Sequence, residues 1–277
     1  MKLKYISIVI LVAIASGCTN LDEKIFSGIN ETGYPQTEEQ AAVSHLSSYD
    51  ALAGLFDDGG YWYLSQEISS DELVAPTRAA DWYDGGKWLA LQYHSWSNSA
   101  DAVNGMWKKL WEGIAESNSI LDKIVSNDDA AKKVKAEVET IRSLYYFWLF
   151  DNFGDVPYLV TYYTAPTQPY RTARATIFDS LTTTLERDYQ LLNSVANPSY
   201  KSFASKEMAL TLLAKLYLNG PIYTGQAKSE YYQKTINYCD QVLASSSLSL
   251  DDKVMDMFKL ATSGTSSELI FIVPFNE

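Results

Sequence analysis

The stretch NDDAAKKVKAEVETIRSLYYFWLFDNFGDVP, residues 127–157, decides the fold class. Asn127-Asp128-Asp129 brings short acceptor side chains to the free amides that begin a helix. Val134, Val138, Ile141, Tyr145, Trp148 and Leu149 then recur every three or four residues and make one apolar stripe. The helix stops before Asn152-Phe153-Gly154-Asp155-Val156-Pro157, where glycine and proline read as a helix stop and turn. A stripe this long has to be covered by other helices.

The same spacing recurs on both sides. Upstream, Thr37-Glu38-Glu39-Gln40 fits a capping box, with Leu46, Tyr49, Leu52, Ala53 and Phe56 inward and Gly59-Gly60 as the stop. Val103, Trp107, Leu110, Trp111, Ile114, Leu121 and Ile124 predict a helix over about 100–125. Downstream of a Pro- and Thr-containing connection over 156–175, Thr176 with Asp179 starts a helix carrying Ile177, Leu181, Leu185, Tyr189 and Leu192. Ser205 starts the next, with Leu210, Leu213, Ala214 and Tyr217 inward, and Asn219-Gly220-Pro221 ends it. Tyr232, Ile236, Cys239, Val242 and Leu243 form a sixth stripe, with Cys239 read as a small buried apolar residue. Glu268 to Val273 is apolar and β-branched, and reads as a strand ended by Pro274. The fold class is therefore mainly α, six helices with little sheet. Residues 205–245 resemble a tetratricopeptide unit: Leu210, Leu213, Ala214 and Tyr217 match the large, large, small and aromatic positions of its first helix, and the loop Gly220 to Ser229 is longer than the usual turn.

Residues 1–17 read as a secretory signal. Lys2 and Lys4 precede an apolar run from Tyr5 to Ala15, too short for the roughly 20 residues of a membrane-spanning helix. Ala15-Ser16-Gly17-Cys18 resembles a bacterial lipobox, which implies cleavage before Cys18 and acylation of its thiol. Residues 18–36 are then a lipid-anchored tether, and residues 37–277 a helical domain. Asp22-Glu23-Lys24 resembles a short acidic export signal to the outer face of the outer membrane. With residues 1–17 removed, the formal charge goes from −12 to −14, which disfavours nucleic acid and anionic lipid. Cys239 is the only other cysteine, so with Cys18 acylated the fold has to hold by its core.

Between the first two long helices lies a different kind of sequence. Six of the seven tryptophans fall in residues 61–111, and the middle of that stretch is broken by Pro76, Gly85 and Gly86 without helical period. Trp107, Trp111 and Trp148 sit at helical spacing and read as core. Trp62 and Trp96 fit either packing or surface. Trp82, Tyr83 and Trp88 stand beside Asp71, Arg78, Asp81 and Asp84. Rings stack on the flat C–H faces of sugars, while carboxylates and guanidinium groups bond their hydroxyl rims. Asp71 and Arg78 have the alternative of pairing with each other to brace the loop.

The order of these features resembles the SusD/RagB family of outer-membrane nutrient-binding lipoproteins. The resemblance is carried by Cys18, by Ser70-Asp71-Glu72 leading to Asp81-Trp82-Tyr83-Asp84-Gly85-Gly86-Lys87-Trp88, and by His94-Ser95-Trp96. It continues through Asn104-Gly105-Met106-Trp107 to Asn118, and through Ile141-Arg142-Ser143-Leu144-Tyr145-Tyr146-Phe147 to Pro157. It implies tetratricopeptide-like helical pairs, an α-α superhelix, under a loop-rich face. It also implies capture of an oligosaccharide or other nutrient at the cell surface and delivery to a SusC-type TonB-dependent transporter. Members of that family usually run to about twice this length, so the chain reads as an N-terminal portion with part of its binding face elsewhere.

The expected glycan-binding residues are Asp71, Arg78, Trp82, Tyr83, Asp84 and Trp88, with Cys18 as the lipidation site. The expectation is a binder rather than an enzyme, with no cofactor and no metal. His45 and His94 are alone, no histidine, cysteine and carboxylate cluster has metal-ligand spacing, and the paired glycines have no phosphate-loop context. Two alternatives stand beside this reading. One is a scaffold whose aromatic loop docks on the transporter without touching sugar. The other is a helical glycoside hydrolase or lyase using two of Asp71, Glu72, Asp81 and Asp84 across a cleft.

Overall fold

The computed structural model describes residue 43 and residues 45–57, 61–195, 201–259 and 266–275. The signal peptide, Cys18 and the tether, the Thr37 capping box and the Gly59-Gly60 stop lie outside these residues. The described chain is mainly helical: α1 (Asp50–Phe56), α2 (Tyr61–Ser69), α3 (Lys87–Gln92), α4 (Asp101–Lys123), α5 (Asp129–Phe153), α6 (Arg174–Asp188), α7 (Lys206–Leu218), α8 (Gly220–Thr224) and α9 (Ser229–Leu243). Its two short strands, β1 (Val156–Pro157) and β2 (Arg171–Thr172), pair antiparallel with Val156 opposite Thr172.

The axis of the core is α5. Asp128 caps it, Oδ1 accepting from Ala131 N–H at 2.8 Å, and Gly154 at φ +76° ends it. The expected stripe is buried at Val134, Val138, Ile141, Tyr145 and Leu149, and the other flank adds Tyr146, Phe147 and Phe150. Apolar groups on so many sides put α5 inside, against α4 and α6. Each of Ile141 and Leu149 contributes about 2 kcal/mol by leaving water. Gly113 of α4 makes the α4–α5 contact possible: a Cβ there would lie 2.3 Å from Cζ of the fully buried Tyr145 ring. Trp107, Trp111 and Trp148 pack against this core, as their spacing predicts. Trp107 meets Phe153 at 5.0 Å and Trp148 meets Trp62 at 4.8 Å between ring centroids.

The tetratricopeptide-like pair is α7 and α9. Ser205 caps α7, its Oγ accepting from Met208 N–H at 3.1 Å. Within the aromatic stretch, whose middle reads as a loop, residues 61–69 and 87–92 are helical. Three parts of the expected layout are corrected. Residues 220–224 form the extra turn α8, with Pro221 in its first turn, where the missing N–H costs nothing. Residues 268–273 form no strand. Ile272 N–H donates to Lys201 C=O at 2.8 Å, while Ile270, Phe271 and Val273 pack on the core.

The third correction is the phase of α9. Tyr231 and Tyr238 are buried, whereas Tyr232, Ile236, Cys239 and Leu243 are exposed. A carboxylate selects this face. Glu186 of α6 accepts hydrogen bonds from the hydroxyls of Tyr217 and Tyr238, at 2.7 and 2.8 Å, and from Lys234 Nζ at 3.0 Å. Burial alone would raise its pKa, and these three bonds outweigh that and lower it.

Candidate aromatic binding face

Residues 70–96 leave α2, cross the surface and return through α3. All the positive-φ non-glycine residues among the described ones fall here: Asp71, Ala79, Trp82, Asp84 and His94. Each such residue costs about 1–2 kcal/mol, and strain of this kind persists only where surrounding contacts over-determine the backbone.

Those contacts can be named. Arg78 and Asp81 exchange both backbone hydrogen bonds, at 3.0 and 2.9 Å, closing a tight turn over Ala79-Ala80. Gly85 and Gly86, at φ +69° and +84°, then carry the chain into α3. At the far end of α3, Ser95 N–H reaches back to Ala90 C=O at 2.9 Å, with His94 in the left-handed position. Two side chains tie this end to the last residue of α2 and to the loop just after it. Gln92 Nε2 donates to Asp71 Oδ1 at 2.7 Å, and His94 Nε2 lies 2.8 Å from Ser69 C=O. Asp71 thus takes Gln92 as its partner, not Arg78.

Trp82 and Tyr83 are about half exposed, and Trp82 lies 6.3 Å from Trp88 between centroids. Trp88 corrects the expectation that it is a stacking surface. It is 5% exposed, in a small cluster with Ile68, Leu91 and Ala102. Its Nε1 donates to Asp84 Oδ2 at 2.7 Å, and Lys87 Nζ lies 4.5 Å from its ring centroid. The indole sits at the second position of α3, so the helix turns it inward as a pillar under Trp82. Asp71, Arg78, Trp82, Tyr83 and Asp84 remain at the surface. Trp96 is exposed beside His94, at 5.5 Å between rings, while Trp62 is half-buried.

The acids here are engaged locally. Asp84 holds Trp88 and Asp71 holds Gln92. Glu67 hydrogen-bonds Glu72, and its pKa is raised by desolvation and by that neighbour. Among the described residues no group of three His, Cys, Asp or Glu side chains is placed to hold a metal ion. No helix among them is long and apolar enough to cross a membrane.

A further set of exposed rings had no helical or motif signal in the sequence. Tyr162, Tyr163 and Tyr170 project from the 158–172 connection, and Tyr93 from the end of α3. The only sequence trace of the first pair was two adjacent tyrosines between threonines, ahead of Pro166.

A SusD-like family model, described as starch-binding and associating with the outer membrane, matches residues 59–218. The chain belongs to the SusD-like family. It is 25% identical over 193 residues to the starch-binding protein SusD of Bacteroides thetaiotaomicron, covering 68% of this chain and 33% of that relative. It is also 25% identical to a SusD-like protein of Formosa agariphila, covering 99% of this chain and 52% of that relative. Among solved structures it is similar to surface glycan-binding protein A of B. thetaiotaomicron in complex with laminarihexaose. That match has a TM-score of 0.68 at 20% identity and covers 84% of this chain and 48% of that one. A laminarin-binding SusD-like protein matches with the same TM-score, 0.68, at 17% identity, over 82% of this chain and 49% of that one. These likenesses show the SusD-like helical fold. The chain spans about a third to a half of the length of these relatives.

Proposed function

We propose that this SusD-like chain carries the glycan-capturing face of a cell-surface lipoprotein. The observation that carries the reading is the strained segment 71–94, which holds Trp82 and Tyr83 half exposed above the buried Trp88. Ring and loop are ordered before any ligand arrives, so little entropy is lost on binding. Trp82 and Tyr83 offer stacking faces, while Asp71, Arg78 and Asp84 offer hydrogen bonds to hydroxyls. Removing about 50 Å² of apolar area at a ring contributes on the order of 1 kcal/mol. A few such contacts give micromolar to millimolar affinity, which suits a protein that hands its cargo on. In this reading acylated Cys18 anchors the mature chain to the outer membrane, and a SusC-type TonB-dependent transporter receives the glycan. The starch and laminarin named for its relatives mark the polysaccharides to try first.

The test is native electrophoresis through gels containing starch, laminarin and other neutral polysaccharides, with reducing ends counted in parallel. Retardation in at least one gel, with no new reducing ends, is the expected result. Free migration in every gel would refute capture, and reducing ends accumulating with turnover would make the protein a hydrolase.

A further inference from the structure

Tyr162 and Tyr163 are exposed by 51% and 63%, and their rings meet edge to face at 5.3 Å between centroids. Tyrosines on an irregular connection would ordinarily swing. The backbone under this pair is held by α4 and α5. Asp122 Oδ2 accepts the N–H of Tyr162 at 2.7 Å and of Tyr163 at 3.1 Å. Asn118 Nδ2 donates to Leu159 C=O at 2.9 Å, and Arg142 Nη1 donates to Val160 C=O at 3.3 Å and to Asn118 Oδ1 at 2.8 Å. The Tyr146 hydroxyl both donates to and accepts from the Leu159 backbone, at 2.7 Å each way. Asn118, Arg142 and Tyr146 are buried. A buried guanidinium and amide are costly unless bonded, and these spend several of their bonds on a five-residue segment. The product of that arrangement is an exposed pair of rings on a held backbone.

The pair stands at one end of a trough. Tyr162 lines a cavity of about 400 Å³ together with Asp50, Lys109, Glu112 and Glu116. A second cavity of about 260 Å³ is lined by Lys87, Trp88, Asp101, Asn104 and Lys108, and again by Lys109 and Glu112. The Lys109–Glu112 ion pair, at 2.7 Å, is therefore the wall they share. Trp88 in the second cavity is the pillar under Trp82. The trough follows α4 from the Trp82 loop to Tyr162, and from Asp101 to Glu116, the first and last α4 residues that line it, the helix rises about 22 Å. Its walls mix carboxylates, an amide and ammonium groups, with acids at least as numerous as bases. Such a near-balanced lining bonds hydroxyls and has no net positive field to draw in a polyanion.

We infer that this trough binds one extended, uncharged oligosaccharide at both ends, Trp82 stacking on one sugar and the Tyr162–Tyr163 pair on a distant one. The inference rests on the glycan-capture reading and adds a second aromatic contact and a length preference to it. Calorimetry with laminaribiose and laminarihexaose, and with maltose and maltohexaose, separates the two ideas. The doubly substituted Tyr162→Ala/Tyr163→Ala protein should bind the preferred hexasaccharide about tenfold more weakly, bind the matching disaccharide as the parent does, and melt at the parent's temperature. Trp82→Ala should weaken both lengths. A double variant that binds the hexasaccharide like the parent overturns the two-ended site and leaves capture at Trp82 standing. A parent that binds neither hexasaccharide counts against capture itself, and this inference falls with it. Tighter binding of dextran sulfate than of the neutral chains overturns the uncharged specificity.

Discussion

At the scale of single residues, environment overrules residue type. Trp82 and Trp88 are the same side chain six positions apart, yet one is half exposed and the other buried under a lysine. Sequence marked both as candidate platforms because it registers rings and neighbouring acids. It does not register that α3 begins at Lys87 and turns Trp88 inward. Asp84→Ala should therefore act through Trp88: the indole N–H loses its acceptor, at a cost of about 1–2 kcal/mol, read as a lower unfolding midpoint in urea. An unchanged midpoint would mean that the bond carries nothing.

Glu139 gives a second prediction at this scale. It contacts Arg142 and Arg187, but burial and the charge of Asp188 outweigh both guanidinium groups and push its pKa up to about 7. The folded state then holds a proton that the unfolded chain has released, so this group's contribution to stability is fully present below about pH 4.5. It is lost as pH rises through about 7. Glu139→Gln should gain on the parent in melting temperature between pH 5 and pH 8. A difference that stays constant over that range would contradict the raised pKa.

At the scale of elements, the long helices were legible because their periods are long and their caps explicit. Asp128 and Ser205 cap the helices that their positions predict. The short elements were not legible. Helices α2 and α3 span nine and six residues, too few for a period to stand out beside the tryptophans, Pro76 and the paired glycines. The α9 helix misled for another reason. It carries two apolar stripes, and Tyr231 and Tyr238 won because their neighbours Tyr217 and Glu186 come from other helices. Cys239 is exposed as a result. In a soluble Cys18→Ala form it should react with a thiol reagent at full rate without denaturant, and protection until unfolding would restore the opposite phase. The α4–α5 contact has its own test. Gly113→Ala forces a Cβ into the Tyr145 ring and should destabilise by about 3 kcal/mol, seen as a large drop in melting temperature. A shift of under a degree would show that the helices separate easily.

At the scale of the whole molecule, the SusD-like scaffold holds aromatic surface on two irregular segments by different means. One is strained backbone closed by local bonds, the other a connection held by buried polar side chains. Sequence marked the first, because tryptophans and acids crowd together there. It passed over the second, because Asn118, Asp122, Arg142 and Tyr146 are spread over α4 and α5 and converge only in the fold. In the proposed two-ended site, weak contacts from both segments add up along α4.

The most direct test of that account is calorimetric titration of parent and Trp82→Ala with whichever oligosaccharide the parent binds. Alanine keeps a Cβ at the same left-handed backbone position, so the loop strain is unchanged and only the ring is lost. Binding should weaken at least about fivefold, the loss of roughly 1 kcal/mol of stacking, at an unchanged melting temperature. Equal affinity in the two proteins would remove Trp82 from the glycan site and contradict the central claim.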